Sequence, residues 1–288
     1  MKSTFKYEED RIYMMPIQFG PQPGNRDLPG GLVKDEKNFP KRRTATIHYL
    51  TRAEQLAKII PPGFELWGEP VITFEINHHT EVPFLGGRGY CAFGVQHPAR
   101  YVGKKETAHG MFRSVTFEDP PDVVTSGREE LGCHKIYAEL PEPRMVQNAY
   151  YYQAGLYGRQ FFTMELHDLE EIPPSPDGDR PFVSTRSYEG VKSDGTLYYK
   201  YIPRINTPGV ADVEHAVLLP AAYPNLTVDK VFKSKNAKAA FLPSTWQDLP
   251  KYYHVVNALA ELDLLEFRGA SLTFTHGGKD LSDMRVID

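Results

Sequence analysis

A chain of 288 residues, 41% hydrophobic with a net charge of −4, is long enough for one large domain or two small ones and carries enough apolar mass for a sizeable core. The near-neutral charge excludes phosphate-backbone binding as the main business, and two cysteines, Cys91 and Cys133, exclude a disulfide framework and zinc-ligand spacing. The cysteine usage suits a reducing compartment, MKSTFKYEEDRIYMM lacks the apolar core of a signal peptide, and no apolar run approaches a membrane span. A soluble cytoplasmic protein is expected.

The first forty residues read as an arm. GPQPGNRDLPGG (20–31) is too rich in Pro and Gly for regular structure. A single domain is expected over 41–288, with no tandem repeat and no dividing linker. Alternating, β-branched stretches predict strands over 44–50, 70–79, 87–97, 110–119, within 145–166, and over 195–205, 214–223 and 270–276. Seventeen Tyr and sixteen Phe suit strand packing and an aromatic-lined interior. TRAEQLAKIIPP (51–62) predicts a helix capped by Thr51 and ended by Pro61. Ser126 predicts the cap of a short turn carrying Glu129 and Glu130. PKYYHVVNALAELD (250–263) predicts an amphipathic helix with Val255, Leu259 and Leu262 on one stripe. The fold class is mainly β with α+β character: a many-stranded antiparallel closed barrel or sandwich under a few covering helices.

Several motifs carry nothing. GRGYCA (87–92) matches a dinucleotide pattern but sits in a strand with no helix after it. His78 and His79 are adjacent and face opposite ways on a strand, and a polar strand end explains His79 and Glu81 better than a metal does. KSKNAK (233–238) reads as a solvated turn.

Lys135 is what remains. In TSGREELGCHKIYAEL (125–140) it stands where a helical turn becomes a strand. Composition alone favours a surface lysine. Its neighbours Cys133, Ile136, Tyr137 and Ala138 are apolar, however, and desolvation lowers a lysine pKa from about 10.4 toward neutrality. A neutral amine attacks a carbonyl and forms a Schiff base, whose protonated imine accepts electrons from a breaking C–C or C–H bond.

Several stretches in one order resemble the acetoacetate decarboxylase superfamily: ATIHYLTRAEQLAKIIPPGFEL, EPVITFEI, GRGYCAFGVQHP, GREELGCHK and YYKYIPRI, spanning about residues 40–205. The resemblance implies a Schiff-base role for Lys135. It implies that Arg42 holds substrate or active-site carboxylates, that Glu75 is a pocket glutamate, and that Gln96 lies on the neighbouring strand. Arg128 and Glu129 fall on the Gly-Arg-Glu turn, where capping and ion pairing explain them as well as catalysis does. Two positions depart from the pattern. Ile136 stands where the family has a second lysine, and Phe93 where it has a second pocket glutamate. Both imply a greasier pocket that suits a larger, more apolar carbonyl substrate. Lys135, Glu75 and Arg42 are thus the expected catalytic residues, and Phe93, Gln96, Ile136 and Arg128 the expected substrate contacts. No metal and no cofactor is expected. The expected partner is a small carbonyl or keto-acid substrate, with no nucleic acid and no membrane, in a homo-oligomer. Three functions stay open: a Schiff-base lyase acting on a β-keto acid, an aldolase-dehydratase or cyclase using the same lysine, and a non-catalytic binding barrel.

Overall fold

Strand β1 (Lys41–Leu50) is buried on both sides. Ala45, Ile47 and Tyr49 turn to an apolar core, whereas Thr44 and Thr46 face a polar interior. The short β2 (Phe64–Leu66) precedes β3 (Val71–Thr80), which repeats the pattern with Ile72, Phe74 and Ile76 on the core side and Thr73, Glu75 and Asn77 opposite. Register pairs Thr44 with Asn77 and Thr46 with Glu75. The polar positions of the two strands therefore meet on one face.

The computed structural model describes residues 1–30, 32–174, 187–188 and 191–288. The strands that follow are β4 (Tyr90–Val102), β5 (Thr107–Glu118), β6 (Lys135–Tyr137), β7 (Arg144–Val146), β8 (Ala149–Leu156) and β9 (Arg159–Ile172), then the short β10 (Ser187–Tyr188) and β11 (Val191–Lys192). After these come β12 (Gly195–Pro203), β13 (Ala211–Pro220), β14 (Thr227–Phe241), β15 (Glu266–His276) and β16 (Arg285–Ile287). Fourteen strands form one sheet with the path β16-β13-β12-β5-β4-β3-β1-β15-β14-β9-β8-β7, β2 and β6 pairing off it. The mainly β expectation holds, with two corrections. Among the described residues the path has two ends and does not close, and β5 pairs in parallel with both β6 and β12, so the sheet is mixed.

The expected strands are all present, but β14 was not among them. KSKNAK is part of this strand and not a turn. Lys233, Lys235 and Lys238 stay exposed while Ser234 and Ala237, three apart, turn inward, so the stretch shows no period-2 alternation and its inward positions are small residues under a basic outer face. The first predicted helix shrinks to α1 (Ala53–Leu56) and a 3-10 turn; its N-cap is Arg52, and Thr51 makes no cap bond. Of the Pro-rich stretch 171–181, Glu171 and Ile172 end the strand Arg159–Ile172, and positions 175–181 lie outside the described residues, as does Gly31.

The arm is tied to the turn before Lys135 and to the C-terminal segment. Met14 is buried, Arg26 pairs with Glu130, and Lys34 pairs with Asp280 at 2.8 Å. No helix among the described residues is long and apolar enough to cross a membrane.

Candidate active site

The approach to Lys135 starts at α2 (Pro121–Ser126), with proline at the first helical position, where its missing N–H costs nothing. The helix runs on as a π-turn, Gly127–Leu131, and Gly132 ends it in the left-handed region at φ 80°. Ser126 is therefore mid-helix and not an N-cap. Its hydroxyl donates to the Asp122 carbonyl at 2.9 Å. Lys200 Nζ caps the far end by donating to the carbonyls of Glu129 (2.5 Å) and Glu130 (3.2 Å).

His134 then stands in for a peptide unit. Its Nδ1 lies 2.7 Å from the Arg113 carbonyl, and its Nε2 accepts from the Tyr199 N–H at 2.8 Å. Burial lowers its pKa, which suits a neutral ring with one donor and one acceptor. The ring spans the gap between the two strands that share one edge of β5, namely β12 at Gly110–Phe112 and β6 at Thr116–Glu118. Lys135 opens β6 opposite Thr116.

The Lys135 side chain runs back over the start of the π-turn. A Cβ on Gly127 would sit 2.3 Å from Lys135 Cδ and 2.7 Å from Nζ, so any larger residue at 127 would displace the lysine side chain from this position. Arg128 Nη1 donates to the Lys135 carbonyl at 2.9 Å. The Gly-Arg-Glu turn is thus a cradle and a backbone clamp for the lysine.

Lys135 Nζ lies 3.0 Å from Glu118 Oε1 and donates to the Val123 carbonyl at 3.1 Å. Glu118 is 2% exposed, and its Oε2 has no hydrogen-bond partner. Burial pulls the Lys135 pKa down, but the Glu118 carboxylate outweighs it, and the amine is pushed up to about 12. The expected depression is corrected here: desolvation was the legible half of the environment, and the facing carboxylate was not. Burial likewise holds Glu118 above its ordinary range, with Lys135 offsetting part of the effect.

His79 and Tyr90 stack face to face on the same cavity, with ring centres 4.4 Å apart. Burial, then the charges of Arg42 and Lys135, hold His79 well below its usual pKa, so it is neutral. Burial pushes Tyr90 up to about 12, with Glu118 adding to the rise.

The inner wall is an ion-pair network. Glu75, 0% exposed, accepts from Arg113 Nη2 (2.8 Å), Asn77 Nδ2 (2.9 Å) and Gln96 Nε2 (3.4 Å), and Arg113 also donates to Gln96 Oε1 at 3.1 Å. A bulge puts Arg113 on this face. Val115 pairs with Val95 and Arg113 with Gln96, which leaves Ser114 as the extra residue and brings Arg113 to the side of Thr116 and Glu118. Gly94 completes the fit, because a Cβ there would lie 1.8 Å from Arg113 Nη1.

Lys135, Glu75 and Arg42 share one cavity of about 200 Å³ with Glu118, His79 and Arg113. Gln96 stands behind Glu75 as a support. Arg128 and Ile136 line a different cavity of about 280 Å³, as alternation along β6 requires. Phe93 borders neither; it is 0% exposed and stacks on Phe162 in the core, ring centres 4.2 Å apart. Phe93 and Ile136 therefore add no apolar surface to the Lys135 cavity, whose apolar lining comes from Val82, Phe84, Leu131 and Leu219 instead, and Glu118 supplies a second carboxylate from β5. Arg113 and Glu118 were missed. The available signal was two opposite charges inside the apolar run GMFRSVTFED, and the bulge hid the fact that they share a face. Glu81 pairs with Lys41 at 2.7 Å, away from His79, and no group of three potential metal ligands comes together among the described residues.

The family model for acetoacetate decarboxylase matches residues 14–266. The chain belongs to the acetoacetate decarboxylase family. No curated protein matches the sequence. A solved acetoacetate decarboxylase superposes with a TM-score of 0.63 at 15% identity, over 86% of this chain and 89% of that one. Acetoacetate decarboxylase from Legionella pneumophila gives 0.61 at 18% identity, over 91% and 92%. The enduracididine biosynthesis enzyme MppR, solved in complex with pyruvate, gives 0.57 at 13% identity, over 89% and 95%. At these identities the likeness shows the fold.

Proposed function

We propose that the protein is a cofactor-free carbon–carbon lyase that acts on a β-keto acid or related carbonyl compound through a Schiff base at Lys135. The observation that carries this reading is the Lys135–Glu118 pair at 3.0 Å, with the second Glu118 oxygen unpartnered at the cavity. At rest the pair is ammonium and carboxylate. Substrate entry displaces water, and in the drier site the neutral pair gains on the charged one. Glu118 takes a proton from Nζ, and the free amine adds to the substrate carbonyl. Glu118 returns that proton to the carbinolamine hydroxyl, which leaves as water. The product is an iminium cation beside the restored carboxylate. For a β-keto acid, the C–C bond electrons flow into the iminium, carbon dioxide leaves, and an enamine remains. Protonation at carbon and hydrolysis then free the lysine. Arg113 and Gln96 fix Glu75, so the inner wall does not reorganise during these steps.

A second reading, aldol addition with dehydration through the same imine, is favoured by His79 and Tyr90. They are half-buried, stacked and on the same cavity, where a neutral imidazole and a phenol serve the additional proton transfers that addition and dehydration require. Carbon dioxide release from a panel of β-keto acids, with Lys135→Met as control, decides between the two. Release that vanishes in the variant supports the lyase. No release, together with condensation of a keto acid and an aldehyde, supports the second. Neither activity would sink both.

A further inference from the structure

The cavity that holds Lys135 is walled in part by the C-terminal segment, which contributes Gly278, Lys279 and Leu281 and lies beyond the residues matched to the family. The segment is held in place. Gly277 takes φ 81° with the Asn225 carbonyl 2.0 Å from where a Cβ would be, which only glycine tolerates. Its N–H donates to the Pro40 carbonyl at 3.1 Å, Gly278 N–H donates to the Glu36 carbonyl at 2.8 Å, and β16 pairs with β13.

Lys279 is the charged member of this wall. Its side chain is 8% exposed. Nζ donates to the Pro220 carbonyl at 2.7 Å and to Asp283 Oδ2 at 2.7 Å, and sits 4.5 Å from the Tyr223 ring centre. An ammonium has three N–H donors, and these two bonds leave one. Tyr223 also feels Arg42 and Arg113 electrostatically, together with the carboxylates of Asp283 and Glu75, so three cations and two anions act on that phenol. Tyr90 and His79, by contrast, feel the Lys135 end of the cavity. The cavity thus has a reactive pole at Lys135–Glu118 and, at Tyr223–Lys279, a second pole where three cations outnumber the carboxylates of Asp283 and Glu75, with Arg42 acting on both.

We infer that Lys279 is a specificity-determining residue that holds a carboxylate of the substrate at the Tyr223 end of the Lys135 cavity. This rests on the Schiff-base reading and narrows its substrate class. A carboxylate that departs as carbon dioxide loses its charge, so a cation holding it stabilises the ground state over the transition state. The Lys279 pole therefore suits a carboxylate that stays on the product. The substrate is a carbonyl compound with a retained acid group: a 2-oxo acid in the condensation reading, or a keto diacid in the decarboxylation reading.

The test uses the full chain and two variants. Pyruvate is the acidic probe and acetone the neutral one. Binding is read by calorimetry without reductant, and imine formation separately by borohydride trapping and intact mass. Lys279→Met should raise the pyruvate Kd at least tenfold, the loss of one charge-assisted hydrogen bond, while half-maximal acetone trapping stays within twofold. Asp283→Asn keeps the ammonium and removes its competing carboxylate, so pyruvate should bind more tightly than to wild type. A merely structural role predicts the opposite or nothing. Pyruvate affinity unchanged in Lys279→Met, or weakened in Asp283→Asn, overturns the inference. Pyruvate binding that follows these predictions without any trapped imine leaves the anion site standing and overturns the Schiff-base reading instead.

Discussion

Glu118→Gln separates the two forces on Lys135 with little change in volume. In the wild type, burial lowers the lysine pKa and the carboxylate raises it to about 12. The amide removes the second force and leaves the first; unpaired, fully buried groups shift by up to about 3–5 pH units, an upper bound for Lys135, whose side chain is 16% exposed. The lysine pKa should therefore fall below its ordinary 10.5. Stability should respond with opposite slopes. In the wild type the folded pKa lies above the unfolded value of about 10.4, so this group's stabilisation is complete below pH 10.4 and is lost as pH rises toward 12, a gap on the order of 2 kcal/mol. In the variant the folded pKa lies below 10.4, the unfolded chain binds more protons, and stability rises with pH up to that value. Breaking a buried pair costs about 3–5 kcal/mol, so the variant should be less stable by that order at pH 6 and should recover most of it by pH 10. Urea unfolding at pH 6, 8 and 10 measures this. Activity should move the other way from amine reactivity: acylation of Lys135 at pH 8 speeds up, while turnover falls about 10²–10⁴-fold for want of the proton relay. A deficit independent of pH, or turnover equal to wild type, would refute the coupling of Lys135 to Glu118.

Three further outcomes follow from the packing. Gly127→Ala should cut turnover at least tenfold, because its Cβ would fall within 2.7 Å of the Lys135 amine, yet the helical φ of residue 127 lets the variant fold; near-normal turnover would show that Lys135 works from another rotamer. Phe93→Glu should unfold or destabilise the protein by about 4 kcal/mol or more without creating any acetoacetate decarboxylation, since residue 93 sits in the aromatic core and away from the cavity; a stable variant with gained activity would contradict that placement. Turnover measured with and without EDTA should be equal; activity lost to the chelator and restored by a metal would count against a reaction carried by Lys135 alone.

Much of the site was legible because strand alternation writes it directly into the sequence. VITFEINHH puts Glu75 on the face opposite Phe74 and Ile76, and the lysine after a helical turn is visible as a junction. What was hidden depends on contacts between distant segments. Glu118 and Arg113 share a face only because Ser114 bulges out of register, and Gly94 leaves space for a guanidinium nineteen positions along the chain. Phe93 was misplaced for the converse reason: its motif position suggested the pocket, but its parity with Val95 and Cys91 puts it in the core. The same parity could have been read from the sequence. The position of Lys279 could not, since it follows from the C-terminal segment docking beside Pro40 and Glu36.

The central claim is that one lysine forms an imine, and borohydride reduction with a keto-acid substrate followed by peptide mapping tests it most directly. The account predicts a single reduced adduct on Lys135, absent in Lys135→Met and weakened in Glu118→Gln under turnover conditions. A label on Lys192, Lys200 or Lys230 instead, or no label with any substrate that is turned over, would contradict it.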